Sequence, residues 1–164
     1  MITAATVQDI HGLVEMHLEF EAQEHALANA MFAAQGLPPL PLQVDEQDIT
    51  ETFMTHIADQ SITLLVAREG QTLLGYVCGW STGKEVYDSS QDRAVLDTVV
   101  VRKCAQGAGI GTQLCEALET WFRQHGYGSI DLQCFYQNEG ARRLYERRGY
   151  VPTVVRMTKI LRPV

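Results

Sequence analysis

Gln106-Gly107-Ala108-Gly109-Ile110-Gly111 is the stretch on which the reading of this chain turns. Upstream, Ala94 to Val101 is apolar and β-branched except at Asp97 and Thr98, the composition of a short buried strand. Downstream, Ile110, Leu114, Ala117, Leu118, Trp121, Phe122 and His125 recur at helical spacing along one apolar face, and Gly126 stops the helix. The six residues are therefore a glycine loop that feeds a helix N-terminus. The first turn of such a helix has backbone N–H groups without partners and carries the positive end of the helix dipole. Glycines let a ligand approach those amides, so the loop suits an anion, most often a phosphate or diphosphate.

Two common phosphate motifs do not fit. The dinucleotide fingerprint needs a third glycine where Thr112 stands, and a P-loop needs a Gly-Lys-Ser/Thr ending, which this loop lacks. Gly79 to Lys84 is one residue short of a P-loop, with Glu85 where Ser or Thr belongs. The loop instead fits the pattern Q/R-x-x-G-x-G/A, with Gln106, Gly109 and Gly111 in its fixed positions. Farther on, Asn138, Ala141, Tyr145, Gly149 and Tyr150 fit N-x-x-A-x-x-x-Y-x-x-x-G-F/Y, preceded by a strand expected from Ile130 to Phe135. With both patterns present in this order, the chain resembles the GNAT superfamily of acetyl-CoA-dependent N-acetyltransferases over about its last half.

The remaining elements are read from pattern alone. Ile2 to Ala5 predicts a strand, and Thr6 an N-cap for a helix from Val7 to about Ala22. Glu21 to Val44 holds an Ala-rich, weakly helical piece, then a loop at Gly36-Leu37-Pro38-Pro39-Leu40-Pro41. Asp45 to Ala58 predicts a helix, and Ser61 to Arg68 with Thr72 to Trp80 an antiparallel hairpin turning at Glu69-Gly70-Gln71. Lys84 to Gln91 reads as a loop, Asn138 to Arg148 as a helix and Tyr150 to Ile160 as a last strand. The order β-α-α-β-β-β-α-β-α-β matches that of the GNAT fold, an α/β (α+β) class with a mixed, mostly antiparallel sheet and helices on both faces.

At 164 residues the chain has room for one domain, residues 1–164, that buries a sizeable core. No apolar run is long enough to span a bilayer and Met1 to Asp9 does not pattern as a signal peptide, so the expected compartment is the cytoplasm, without membrane association. Cys78, Cys104, Cys115 and Cys134 form no C-x-x-C pair and read as reduced thiols, with no metal site. Net charge is −12 over residues 1–100 and +5 over residues 101–164. The basic part holds both motifs and suits a polyanionic cofactor; the acidic part would draw cations rather than nucleic acid. The five histidines carry no partner pattern and read as surface or packing residues.

The resemblance implies acetyl transfer from acetyl-CoA, used as cosubstrate, to a small-molecule amine. An amine of lysine-like pKa is neutral only about once in 2,500 at pH 7, so a base or water relay must take its proton. By resemblance Tyr145 is the acid that protonates the leaving thiolate, and Val99, Val100 and Val101 offer main-chain hydrogen bonds to the thioester and pantetheine arm. The amides of Gln106, Gly107, Ala108, Gly109, Ile110, Gly111 and Thr112 would take the diphosphate, with Arg102 and Lys103 nearby in sequence. Asn138 would bind the pantetheine arm, cap a helix, or both. Arg142 and Arg143 are candidates for the 3′-phosphate or for a solvated basic face. Lys103-Cys104-Ala105 departs from the family's usual Pro-containing link; direct transfer needs no covalent role for Cys104.

Asp97 needs a reason, because a carboxylate inside an apolar strand is costly unless paired, hydrated or facing a cavity. Strand alternation puts it on the face of Val99 and Val101, either in the acceptor cleft taking the amine proton or holding the ammonium, or paired and ordering the sheet. Glu15, Glu19, Glu21 and Glu24 are candidate rim charges for a cationic acceptor. A non-catalytic acyl-CoA sensor and an enzyme acting on a protein or peptide amine stay open at this level, as does a homodimer.

Overall fold

A computed structural model describes residues 1–84 and 92–159. Strand β1 (Ile2–Ala4) leads through a short 3-10 turn, Val7–Asp9, into helix α1 (Ile10–Ala34), followed by α2 (Glu46–Ala58). Three strands follow, β2 (Ile62–Glu69), β3 (Thr72–Lys84) and β4 (Asp92–Val101), then a 3-10 turn at Lys103–Ala105 and helix α3 (Ile110–Gln124). Strand β5 (Tyr127–Asp131) and helix α4 (Glu139–Arg147) complete the regular elements. The sheet order is β1-β2-β3-β4-β5, antiparallel throughout except for the parallel β4–β5 pair that α3 connects. The α/β, mostly antiparallel architecture expected from the sequence is the one observed.

Two cores flank the sheet. On one face Leu13, Val14 and Met16 of α1 and Ile49 and Phe53 of α2 pack on Leu64, Val66, Tyr76, Cys78 and Val100. On the other, Leu114, Cys115, Leu118 and Phe122 of α3, with Tyr145 of α4, pack on Ala67, Val77, Ala94 and Leu96. Tyr76 and Val77 are adjacent on β3 and belong to opposite cores, the period-two alternation of a strand covered on both sides.

Local signals hold where they are strong. The hairpin turns at Gly70, whose φ of 57° is a left-handed conformation that glycine adopts without strain, and Glu69 pairs with Thr72 across it. Thr6 precedes the first helical turn, and Asp9 reaches back to accept from its amide at 2.8 Å and its hydroxyl at 3.0 Å. Arg68 of β2 donates to the same carboxylate at 3.0 Å. Burial works against Asp9's charge, but these donors prevail and hold its pKa below the usual range.

Four boundaries differ from the pattern reading. Helix α1 begins at Ile10 and runs on to Ala34, since alanine-rich sequence keeps helical propensity after the apolar stripe weakens. Strand β5 starts at Tyr127 and ends at Asp131, set by its register on β4, where Tyr127 pairs with Asp92, and not by the apolar run to Phe135. Residues 151–159 form no strand, and Val151, Val154, Val155 and Met157 are exposed; β-branched residues favour strands through packing on a half-buried surface, which they lack here. Lys84 belongs to β3, while the rest of the expected Lys84 to Gln91 loop, like Ile160, lies outside the described residues.

Candidate functional site

The strands β4 and β5 pair only from Asp92 to Val95, against Tyr127 to Asp131. Beyond Val95, β4 continues to Val101 paired with β3, whereas the chain after Asp131 leaves the sheet toward α4. The backbone of Val99, Val100 and Val101 thus has a ladder partner on the β3 side and none in β5, which leaves a wedge for an extended ligand.

At the end of β4 stands the glycine loop. Gly107 and Gly109 have φ of 81° and 80°, and Gly109 is the N-cap of α3. A Cβ on either would meet nothing within 4 Å, so the space beside these two glycines is open. Gly111 is closer to its neighbours: a Cβ there would sit 3.4 Å from Leu144 and 3.6 Å from Val101. The Gln106 side chain donates to the Val101 carbonyl at 3.1 Å and ties the loop to the strand. The Gln106 side chain is thus engaged within the protein, and Ile110 and Thr112 lie in the first turn of the helix.

Arg102 is engaged with β3 and α1. Its guanidinium donates to the Leu73 carbonyl and to Glu15 of α1, both at 2.9 Å, so two of its nitrogens already have partners within the protein. Glu15 is likewise committed, its pKa held down by the Arg102 hydrogen bond, with His11 adding to the effect. Arg142 lies over the Tyr136 ring at 4.4 Å and pairs with Glu146, and Arg143 pairs with Glu139. These contacts fit the solvated basic face rather than a dedicated phosphate clamp.

Helix α4 supplies Asn138 and Tyr145. Asn138 caps the helix by accepting from the Ala141 amide at 3.1 Å, and its side-chain amide donates to Glu24 of α1. Burial, with the charge of Glu21 adding to it, raises the Glu24 pKa despite that bond. Tyr145 is buried beside Tyr150, ring centroids 5.8 Å apart. Burial pushes its phenol pKa up, and the charges of Cys115, Cys134 and Glu24 act the same way, so the hydroxyl stays protonated at any physiological pH. The helix is fixed to α3 by Arg148, which grips Glu119 with two nitrogens, one bond measuring 2.7 Å.

Asp97 lies on the opposite face from the one alternation assigns. Leu96 pairs with Gly79 and Thr98 with Cys78, so Asp97 is the extra residue of a β-bulge. Gly79 admits the bulge: a Cβ there would come within 2.5 Å of the Val95 carbonyl. Ahead of the bulge Ala94 and Leu96 face α3; after it Val99 and Val101 do, and the phase has slipped by one residue. The exposed Asp97 carboxylate, bonded by the Thr98 hydroxyl at 2.6 Å, acts electrostatically on His17, His56, Tyr76 and Cys78, on the α1–α2 side.

That side contains the polar groups that pattern reading passed over. His17 Nδ1 lies 2.6 Å from the Tyr76 hydroxyl, and its Nε2 lies 3.3 Å from Glu21. His56 Nδ1 is 3.6 Å from Cys78 Sγ, a thiol whose pKa burial pushes up to about 12. An open cavity of about 390 Å³ is lined by Asp48, Glu51, Thr52, Thr55 and His56, and another of about 270 Å³ by His56, Ser61, Ile62, Trp80 and Ser81. The only sequence trace of this cluster is the four-residue spacing of His17 and Glu21 on one helix. Among the described residues, no three His, Cys, Asp or Glu are grouped to hold a metal ion, and no helix is long and apolar enough to cross a membrane.

Burial depresses the pKa of both His17 and His56 despite nearby carboxylates. Below about pH 6.5 the unfolded chain binds protons that the folded histidines resist, so their contribution to stability falls as pH falls. Glu24, with its raised pKa, works in the other direction. Urea midpoints at pH 7.5 and 5.5 should therefore differ less in a His17→Gln, His56→Gln double variant than in the parent. An identical pH response in the two proteins would contradict the buried neutral histidines.

No curated protein matches the chain by sequence. Among solved structures, a tetramutant of protein BH1408 from Bacillus halodurans superposes with a TM-score of 0.77 at 20% identity, covering 98% of this chain and 99% of that one. An aminoglycoside 6′-N-acetyltransferase from Acinetobacter haemolyticus gives 0.71 at 13%, covering 99% of each chain. A ribosomal-protein-alanine N-acetyltransferase from Brucella melitensis gives 0.65 at 18%, again covering 99% of each. At such identities these likenesses establish the fold. The sequence profile of the GNAT acetyltransferases matches residues 22–150, a span that includes the wedge, the glycine loop and Tyr145, and the chain belongs to that family.

Proposed function

We propose that this chain is an acetyl-CoA-dependent N-acetyltransferase, a single domain over residues 1–164, that acts in the cytoplasm on a small cationic amine by direct transfer. The observation that carries this reading is the wedge between β4 and β5, with an open glycine loop at its end. Acetyl-CoA would supply an activated acetyl thioester. The residues present fit it: amides of Gly107 to Thr112 for the diphosphate, the β4 backbone at Val99 to Val101 for the arm and carbonyl, and the Asn138 amide near the arm's path. Tyr145 Oη donates a proton to the departing sulfur, and Asp97 receives the proton of the amine or holds the ammonium.

The acceptor class follows from charge. Glu21 and Glu24 lie on one face of α1, and their fields reach Tyr76 and Tyr145 respectively. With Asp97 they make the acceptor side acidic, which favours a cationic amine such as the aminoglycoside for which one structural neighbour is named.

The test has two parts. Acetyl-CoA should raise the thermal midpoint, and thiol release should be assayed over polyamines, aminoglycosides, amino acids and peptides. On an amine that turns over, Asp97→Asn should lower kcat/KM by about several-fold to a hundred-fold, most at lower pH, and leave the acetyl-CoA shift intact. Superimposable pH–rate profiles would assign Asp97 to ordering the bulge. No thermal shift and no thiol release with any amine would overturn the enzyme reading.

A further inference from the structure

The reaction outlined above makes no use of the two cavities on the α2 side. Asp48, Glu51, Thr52 and Thr55 recur at helical spacing along one side of α2 and line the larger, of about 390 Å³, together with His56. His56 is also a wall of the smaller, of about 270 Å³, with Ser61, Ile62, Trp80 and Ser81. Burial holds the His56 pKa below its ordinary range, so this shared wall is neutral at pH 7. The Thr55 hydroxyl donates to the Glu51 carbonyl at 2.9 Å and the Ser61 hydroxyl to the Asp59 carboxylate at 2.7 Å. With their hydrogens committed, these two oxygens can only accept. Glu51 takes a bond of 3.1 Å from the neutral Gln47 side chain, and among the described residues no Lys or Arg lines either cavity. The walls thus present two carboxylates, two accepting hydroxyls and the Trp80 indole, which suit a ligand rich in N–H donors and positive charge.

We propose that these cavities hold a second ammonium group of the acceptor, so that the preferred substrate carries at least two amines. The inference rests on the acetyltransferase reading and extends it to the end of the acceptor that does not react. Asp48 and Glu51 receive the ammonium that keeps its charge, and Trp80 and the accepting hydroxyls line the rest of the path. A linear polyamine and an amino sugar share this chemistry.

Short contacts connect the cavities to the strand that holds Asp97. His56 Nδ1 lies 3.6 Å from Cys78 Sγ, Cys78 is the partner of Thr98 across β3 and β4, and the Thr98 hydroxyl bonds Asp97 at 2.6 Å. An acceptor whose reacting amine is at Asp97 therefore has the α2 carboxylates on the same side of the sheet, past His56. A chain too short to pass His56 gains nothing from them, so length sorts the substrates. Asp48 also has a structural role, since an acidic residue in the first turn of α2 complements the helix dipole. Glu51 lies beyond that turn and separates the two roles.

The probes are straight-chain diamines of three to ten carbons, each beside the monoamine of the same length, and an aminoglycoside. For the parent, kcat/KM of the best diamine should exceed that of its monoamine by about 5-fold or more, through KM, and the ratio should shrink as salt rises. Glu51→Gln should lower the ratio at an unchanged thermal midpoint, and adding Asp48→Asn should bring it to about one. Whichever of the diamine and the aminoglycoside loses more kcat/KM in these variants names the source. The proposal is overturned if neither the diamine preference nor turnover of the aminoglycoside responds to the two substitutions. NMR reads binding without turnover: the Trp80 indole N–H resonance should titrate with the diamines or the aminoglycoside at lower concentration than with any monoamine, and Glu51→Gln should weaken that titration. If no amine releases thiol and the resonance still titrates in this order, the acetyltransferase reading fails and the cation site stands. If monoamines are acetylated and the resonance stays still with every amine, the enzyme stands and the site is overturned.

Discussion

Gly109→Glu is expected to abolish the thermal shift that acetyl-CoA produces. At a concentration about 100 times Kd, a ligand bound only by the folded state adds about 2.7 kcal/mol, roughly 5–10 °C for a chain of this size. The variant should show none of it. Gly109 is the N-cap of α3 with φ of 80°, so any side chain there strains the backbone by about 1–2 kcal/mol. A Cβ meets no atom within 4 Å, and a carboxylate beside the first turn interacts favourably with the helix dipole, which offsets part of the strain. The variant should therefore fold while its own carboxylate occupies the amides meant for the diphosphate. Gly109→Ala carries the strain without the charge; it should retain a shift, which separates the two causes. A glutamate variant that shifts as the parent does would place the anion elsewhere.

What could be read from the sequence is what local chemistry dictates. The glycine loop, the apolar face of α3, the Asn138 cap and the Gly70 hairpin each depend on residues close together in the chain, and each appears where expected. The limits of β5 depend on register against β4, and the length of α1 on alanines with no strong stop. Asp97 shows the difference most clearly. Period-two counting is sound until an extra residue enters, and the bulge depends on Gly79, eighteen residues earlier and on another strand. Slipping the phase by one turned the carboxylate from the α3 face to the α1–α2 face. The His17–Tyr76 contact joins residues 59 apart, with only the His17–Glu21 spacing as a local trace. Expectations for the cofactor loop therefore transferred to the structure more directly than those for the acceptor side.

Tyr145→Phe should lower kcat by about 10²-fold, the scale of a lost general acid, with little change in acetyl-CoA affinity. The substitution removes one oxygen from a ring that packs with α3 and against Tyr150, and leaves the volume of the core unchanged. Stability should change by less than about 1.5 kcal/mol, as for an isosteric swap, because Glu119 and Arg148 continue to fix α4. The hydroxyl's raised pKa sets the pH behaviour. Burial is the first cause, so the phenol remains a donor well above the range in which amines lose their protons. The fold-loss from Tyr145→Phe should hence be constant from about pH 6 to 9, whereas the loss from Asp97→Asn should grow as pH falls. Two separate pH signatures on one amine distinguish an acid at the sulfur from a carboxylate at the nitrogen. A Tyr145→Phe enzyme with unchanged kcat would make the tyrosine a packing residue of the α3 core and remove the acid from the proposed mechanism.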